Sequence, residues 1–179
     1  MKSRYPSVHA RTQRGVALVI VLILLLVMTL LGLASVRGTL MEERMSANMY
    51  DRSLGFQAVE AALREAETRV SQPGAKGAFP SAGCADGLCA TPVVAAGSID
   101  RGLDPSFASW KTASSVVVDG ITTTPEYFIE YMGMAPSWPL CDRLKPVHPQ
   151  CMKSRFRITA QIDTIDRAHV QLQANYVAP

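Results

Sequence analysis

Recognisable catalytic signatures are missing from this sequence. It has three histidines, His9, His148 and His169. None belongs to an HExxH pair or a Ser/His/Asp spacing, and no glycine-rich phosphate loop occurs. Each therefore reads as a plain surface or strand residue. Dense sets of oxygen donors are lacking too. Asp100 with Asp104, or Asp163 with Asp166, would in principle hold calcium, but without more donors both pairs read as solvated turns. Beyond the first fifteen residues there is no basic stripe interleaved with aromatics, so the net charge of +3 is not a nucleic-acid footprint. The expectation is a chain that is not an enzyme and carries no cofactor or metal.

Charge is absent in one long stretch. Between Arg14 and Arg37 runs GVALVIVLILLLVMTLLGLASV, without a single ionisable side chain. As a helix rising about 1.5 Å per residue, it matches a hydrocarbon core of ~30 Å. A buried helix of a soluble core is the rival reading, but such helices are seldom this long without a polar face. Lys2, Arg4, Arg11 and Arg14 precede the run with no acid among them. Removing residues 1–15 takes four of the eighteen basic side chains and none of the fifteen acidic ones, leaving a net charge of −1. The basicity belongs to this leader, which keeps the leader cytoplasmic and directs the remainder outward.

Helical character does not stop with the apolar run. From Arg37 to Val70 the chain is rich in good helix formers. Met45, Met49, Phe56, Val59, Leu63, Ala66 and Val70 recur at steps of three, four and seven, which predicts one apolar face. Glu60–Arg64 and Glu65–Arg69 have the i,i+4 spacing of ion pairs on the wet side. Ser71-Gln72-Pro73-Gly74 then stops the helix. The sum is one rod of about 57 residues, roughly 85 Å long. An ordinary amphipathic helix packed on its own domain explains the second half, but not its fusion to an apolar span. Gly32, Gly38 and Gly55 weaken the rod and serve either curvature or close helix contacts. A conventional signal peptide cut near Gly32-Leu33-Ala34 remains the alternative.

Four cysteines, Cys84, Cys89, Cys141 and Cys151, follow the span. An even number on the exported side reads as two disulfides. Zinc is the rival, though C-x4-C and C-x9-C are not tight metal hooks and no histidine is near the first pair. Three pairings are possible, and Cys84–Cys89 with Cys141–Cys151 is favoured because short loops close easily. Residues 73–113 read mostly as loop, long enough that a disulfide pins it or an element is concealed in it. Strands are predicted at 115–119, 126–132, 155–162 and 168–176, the last two joined as a hairpin. Trp110 and Trp138 read as anchors of the small core or a loop, with Trp138 beside Pro139 and Cys141 a candidate contact patch. The expected fold is α+β: one long N-terminal helix on a small antiparallel sheet.

The stretch QRG-VALVIVLILLLVMTLLGLASV resembles the type III signal of prepilins. MEERMSANMYDRSLGFQAVEAALREAE is similar to the N-terminal region of PilX-type minor pilins, and FRITAQI…HVQLQANYV to their closing hairpin. The resemblance covers roughly the first seventy and last twenty-five residues. It implies a leader (1–15) cut between Gly15 and Val16, with Val16 then N-methylated by a prepilin peptidase. It also implies a transmembrane and assembly helix (16–36), an amphipathic continuation (37–72) and a periplasmic head (73–179). Expected partners are other minor and major pilins through the N-terminal helix, the inner-membrane assembly platform and a tip adhesin. The expected location is the bacterial inner membrane, then the surface fibre. One departure stands out: where major pilins carry glutamate as the fifth mature residue, this chain has Ile20. The functions implied are a minor pilin priming assembly at or near the tip, or a type II secretion pseudopilin at a pseudopilus tip. A signal-anchored periplasmic binding module or enzyme is the alternative of another class.

Overall fold

Good helix formers and the lack of an internal proline let a single α-helix, α1, run unbroken over Val16–Ser71, 56 residues. The computed structural model describes residues 15–93, 97–165 and 167–178, so the expected leader falls outside the described residues except for Gly15. The chain divides into two compact units, Met1–Ala47 and Asn48–Pro179. In the first, α1 is exposed on every face.

In the second unit, α1 buries Leu54, Gly55, Ala58, Val59, Ala62, Ala66 and Val70. Ala58, Val59, Ala62, Ala66 and Val70 share one core with Tyr127, Ile129, Phe156, Ile158, Ala160, Ile162 and Val170 from the sheet, with Leu63 and Leu172 packed at the margin. This differs from the predicted stripe in a specific way. Val59, Ala66 and Val70 are covered, whereas Met45, Met49 and Phe56 are 65%, 70% and 44% exposed. Periodicity says which residues share a face but not which face is covered. The sheet takes the neighbouring face of small residues, because Gly55, Ala58 and Ala62 permit close approach. The wet side also differs: Arg64 reaches Glu60 at 3.7 Å, but Arg69 turns to Asp86 and Glu65 accepts from the backbone N–H of Ser114 at 2.9 Å.

The sheet is built on three long antiparallel strands, β6 (Glu126–Pro136), β7 (Met152–Ile162) and β8 (Val170–Val177). All three were expected, but β6 runs past the predicted 126–132 and β7 starts before the predicted 155–162. A register shift between Tyr131 and Met134 accommodates Gly133, whose φ of +85° an L side chain would resist. The segment predicted as loop conceals β1 (Cys84–Ala85), β2 (Leu88–Cys89) and β3 (Lys111–Thr112). β2 runs parallel to β6, so the sheet is mixed rather than purely antiparallel. Two-residue strands leave no alternation to read, which is why the sequence hides them. β4 (Val116–Val118) and β5 (Ile121–Thr123) form a separate hairpin around Asp119-Gly120.

A Cβ placed on Gly55 would lie 3.0 Å from Val170 Cγ2 and 3.4 Å from Ile162 Cγ2. Gly55→Leu should therefore destabilise the second unit by about 1–3 kcal/mol, the usual cost of overpacking. Denaturant unfolding of the full chain in detergent reads this, and an unchanged midpoint would show that the helix does not need this close approach.

Candidate functional site

The sequence points to the start of α1, and the structure places those residues plainly. Gly15 immediately precedes the helix and Val16 is its first residue. Ile20 lies just over one turn later and is 52% exposed, in a run where Val16, Leu18, Val19 and Val21 to Leu26 are open as well. The helix is long and apolar enough to cross a membrane: its best eighteen-residue window has a mean hydropathy of 3.3 and none of that window is buried. Apolar side chains on all sides, with no partner among the described residues of the unit, form a surface that lipid or other helices must cover. No charge in it would need a counter-charge there.

In the second unit, two disulfides fasten the loops: Cys84–Cys89 and Cys141–Cys151. The first joins β1 to β2 across a turn in which Asp86 and Gly87 both have positive φ, 49° and 72°. The Asp86 carboxylate receives Arg69 at 2.7 Å and Lys111 at 2.7 Å, and its backbone oxygen accepts from Arg69 at 2.9 Å. One turn residue thus ties the end of α1 to β3. The Lys111 hydrogen bond, aided by Arg69, holds the Asp86 carboxyl below the usual carboxylate range. At the β4–β5 turn, Tyr50 donates its hydroxyl to Asp119, and this bond raises the Tyr50 pKa above its ordinary value.

The face of the sheet turned from α1 is covered by residues 98–113, and its centre is ionic. Glu130 is fully buried and is held by Arg101 at 2.5 Å and Arg157 at 2.5 Å, while Arg157 also reaches Asp100 at 2.9 Å. Arg101 donates onward to the Ala90 carbonyl at 3.0 Å. Beside it, Phe107 and Trp110 close on Phe128 at 4.7 and 4.8 Å, so Trp110 anchors the core. Sequence reasoning missed this cluster. A glutamate in an alternating strand reads as solvent-facing, and only the covering segment reveals that it is buried.

The remaining candidates are dispersed. Trp138 is 39% exposed and lies with Leu140, Leu144 and Val147, which are likewise open, on or beside the loop closed by Cys141–Cys151. His148 packs edge-on to Trp138 at 5.6 Å, and exposed His169 directly precedes β8. Asp100 caps the 3-10 turn Arg101–Leu103, and Asp104 accepts from both the N–H and the hydroxyl of Ser106. Asp163 is exposed and Asp166 lies outside the described residues. Among the described residues, no group of three His, Cys, Asp or Glu is placed to hold a metal ion. A cleft of about 410 Å³ brings Glu126, Asp163 and His169 near Phe107 and Trp110. Glu126 accepts there from Gln161 Nε2 at 2.8 Å.

A depressed carboxylate pKa stabilises the fold fully above the unfolded-state value, ~3.9, and the contribution is lost as pH falls through the lower, folded-state value. Asp86→Asn should lower stability at neutral pH and flatten the acid limb of a melting-temperature profile taken between about pH 5 and 2. An acid limb identical to that of the unsubstituted chain would dismiss the Asp86 clamp.

Residues 14–64 match the family described as PilX N-terminal. Neither the curated proteins nor the solved structures provide a significant match.

Proposed function

By its N-terminal segment the chain is a PilX-type pilin of the type IV minor-pilin family, and on that premise we propose that it primes fibre assembly and sits at or near the tip. The observation that supports the pilin premise is the uncharged helical surface beginning at Val16, open on all sides. Such a surface is stored in lipid and later covered by the helices of other subunits, because either environment satisfies an apolar helix. The family is structural, and the work proposed for this subunit is assembly rather than catalysis.

The proposed maturation is removal of residues 1–15 and methylation of the new terminus at Val16 by a prepilin peptidase. The chain would wait in the inner membrane with its N-terminus cytoplasmic and its head in the periplasm, then leave with the fibre. Other minor and major pilins, the assembly platform and a tip adhesin are the proposed partners. The place in the fibre rests on Ile20. A glutamate there would pair with the terminal ammonium of a neighbouring subunit; isoleucine is cheaper to store in lipid but cannot make that pair. A subunit of this kind is poorly equipped to join from below. It still offers its own ammonium to the subunit added next, which suits a first position.

Two measurements test this. N-terminal sequencing should find methylated Val16, and Gly15→Leu should leave the chain uncut in the inner membrane; a mature start at Met1 or near Ser35 would overturn the cleavage site. Immunogold labelling of fibres should place the chain at their ends. Even decoration along the shafts would refute the tip position.

A further inference from the structure

Within the second unit, the first residues of α1 are held differently from the rest. Over 48–53 no residue is buried, and burial begins at Leu54. What engages this stretch is polar. Tyr50 donates its hydroxyl to Asp119 at the turn between β4 and β5. Asp51 takes hold of the connection between β7 and β8: its Oδ1 receives the Arg167 guanidinium at 2.7 Å, and its Oδ2 accepts from the Ala168 N–H at 2.5 Å. Two adjacent helix residues thus reach two different hairpins, 69 and 117 positions away along the chain. The two contacts are electrostatic neighbours, because the Arg167 charge partly offsets the rise that Asp119 causes in the Tyr50 pKa.

Packing beneath these bonds is incomplete. A cleft of about 400 Å³ is lined by Asp51 and Gly55 of α1, by Ile121, and by Ile162, Ile165 and Arg167. Ile165 is already 89% exposed. Parting α1 from the two hairpins over 48–53 therefore uncovers little apolar surface, and water replaces the lost hydrogen bonds. Parting it beyond Leu54 uncovers Ala58, Val59 and Ala62 together with the strand residues they share a core with, at a cost that grows with apolar area. Neither hairpin connection is tied into the main ladder at these points. β4 and β5 form their own two-stranded sheet, and the β7–β8 pairing ends at Ile162↔Val170.

We propose that Tyr50 and Asp51 form a single latch, a conformational device that lets α1 part from both hairpin connections over 48–53 while the core beyond Leu54 stays closed. Its two halves open together, since either bond alone holds the same stretch of helix against the same end of the head.

The test is residue-resolved amide exchange of the full chain in detergent, repeated at low concentrations of denaturant. The amides of 50–55 and of Ala168 should exchange at least ~10-fold faster than those of 58–70, with almost no dependence on denaturant, whereas 58–70 follow the slope of global unfolding. Tyr50→Phe with Asp51→Ala should speed 50–55 by at least ~10-fold and leave 58–70 the slowest amides of the helix. The single substitution Tyr50→Phe should also speed Ala168, whose N–H bonds Asp51 and not Tyr50. An unchanged Ala168 rate in that variant would show two independent bonds and overturn the latch. Equal denaturant slopes for 50–55 and 58–70 would also overturn it, because the helix and head would then open as one unit.

Discussion

A helix that is apolar on every side for its first twenty-one residues and on one side afterwards imposes two demands on one element. The first part, Val16–Val36, has no polar face to offer water, so it needs an environment apolar all round. The second part needs only one face covered, and from Leu54 onward the sheet covers one. Both demands are met without a break in the helix, because nothing between Val16 and Ser71 obliges the backbone to stop. The apolar part keeps its backbone bonds internal, as lipid requires.

Helix and sheet approach closely because the covered face is small. Gly55, Ala58, Ala62 and Ala66 bring the α1 backbone near the larger side chains of β6 and β7. Bulk is concentrated on the strands, in Tyr127, Ile129, Phe156 and Ile158. The opposite face of the sheet is managed by other means: an aromatic group around Phe128, and a buried glutamate held between two arginines. A buried ion cluster adds little net stability compared with apolar packing, but a missing member is costly, so it fixes where the segment at 98–113 lies.

The head is thus fastened at its loops rather than enlarged at its core. Two disulfides, the Asp86 clamp and the Tyr50–Asp119 bond each secure a segment too short to bury much apolar surface. The edge at β8 is the exception. It is long, regular and uncharged, which sets it apart from the short strands at the other side of the same sheet.

Sequence alone determined the apolar span, the continuous helix, the stop at Pro73-Gly74 and the three long strands. Each rests on a local rule: lack of charge, helix-forming composition, a breaker pair, or a period of two. The short-loop cysteine pairs were also legible, and they are the pairs the structure contains. Only the tertiary structure decided which face of α1 is covered, since Met45, Met49 and Phe56 share a stripe with Val59 and Val70 yet lie open. It alone decided that β2 enters parallel to β6, that Glu130 is buried between Arg101 and Arg157, and that Arg69 serves Asp86 rather than Glu65. The division has one physical cause. Periodicity and propensity act within a few residues along the chain, whereas these choices depend on what a distant segment brings to the same place.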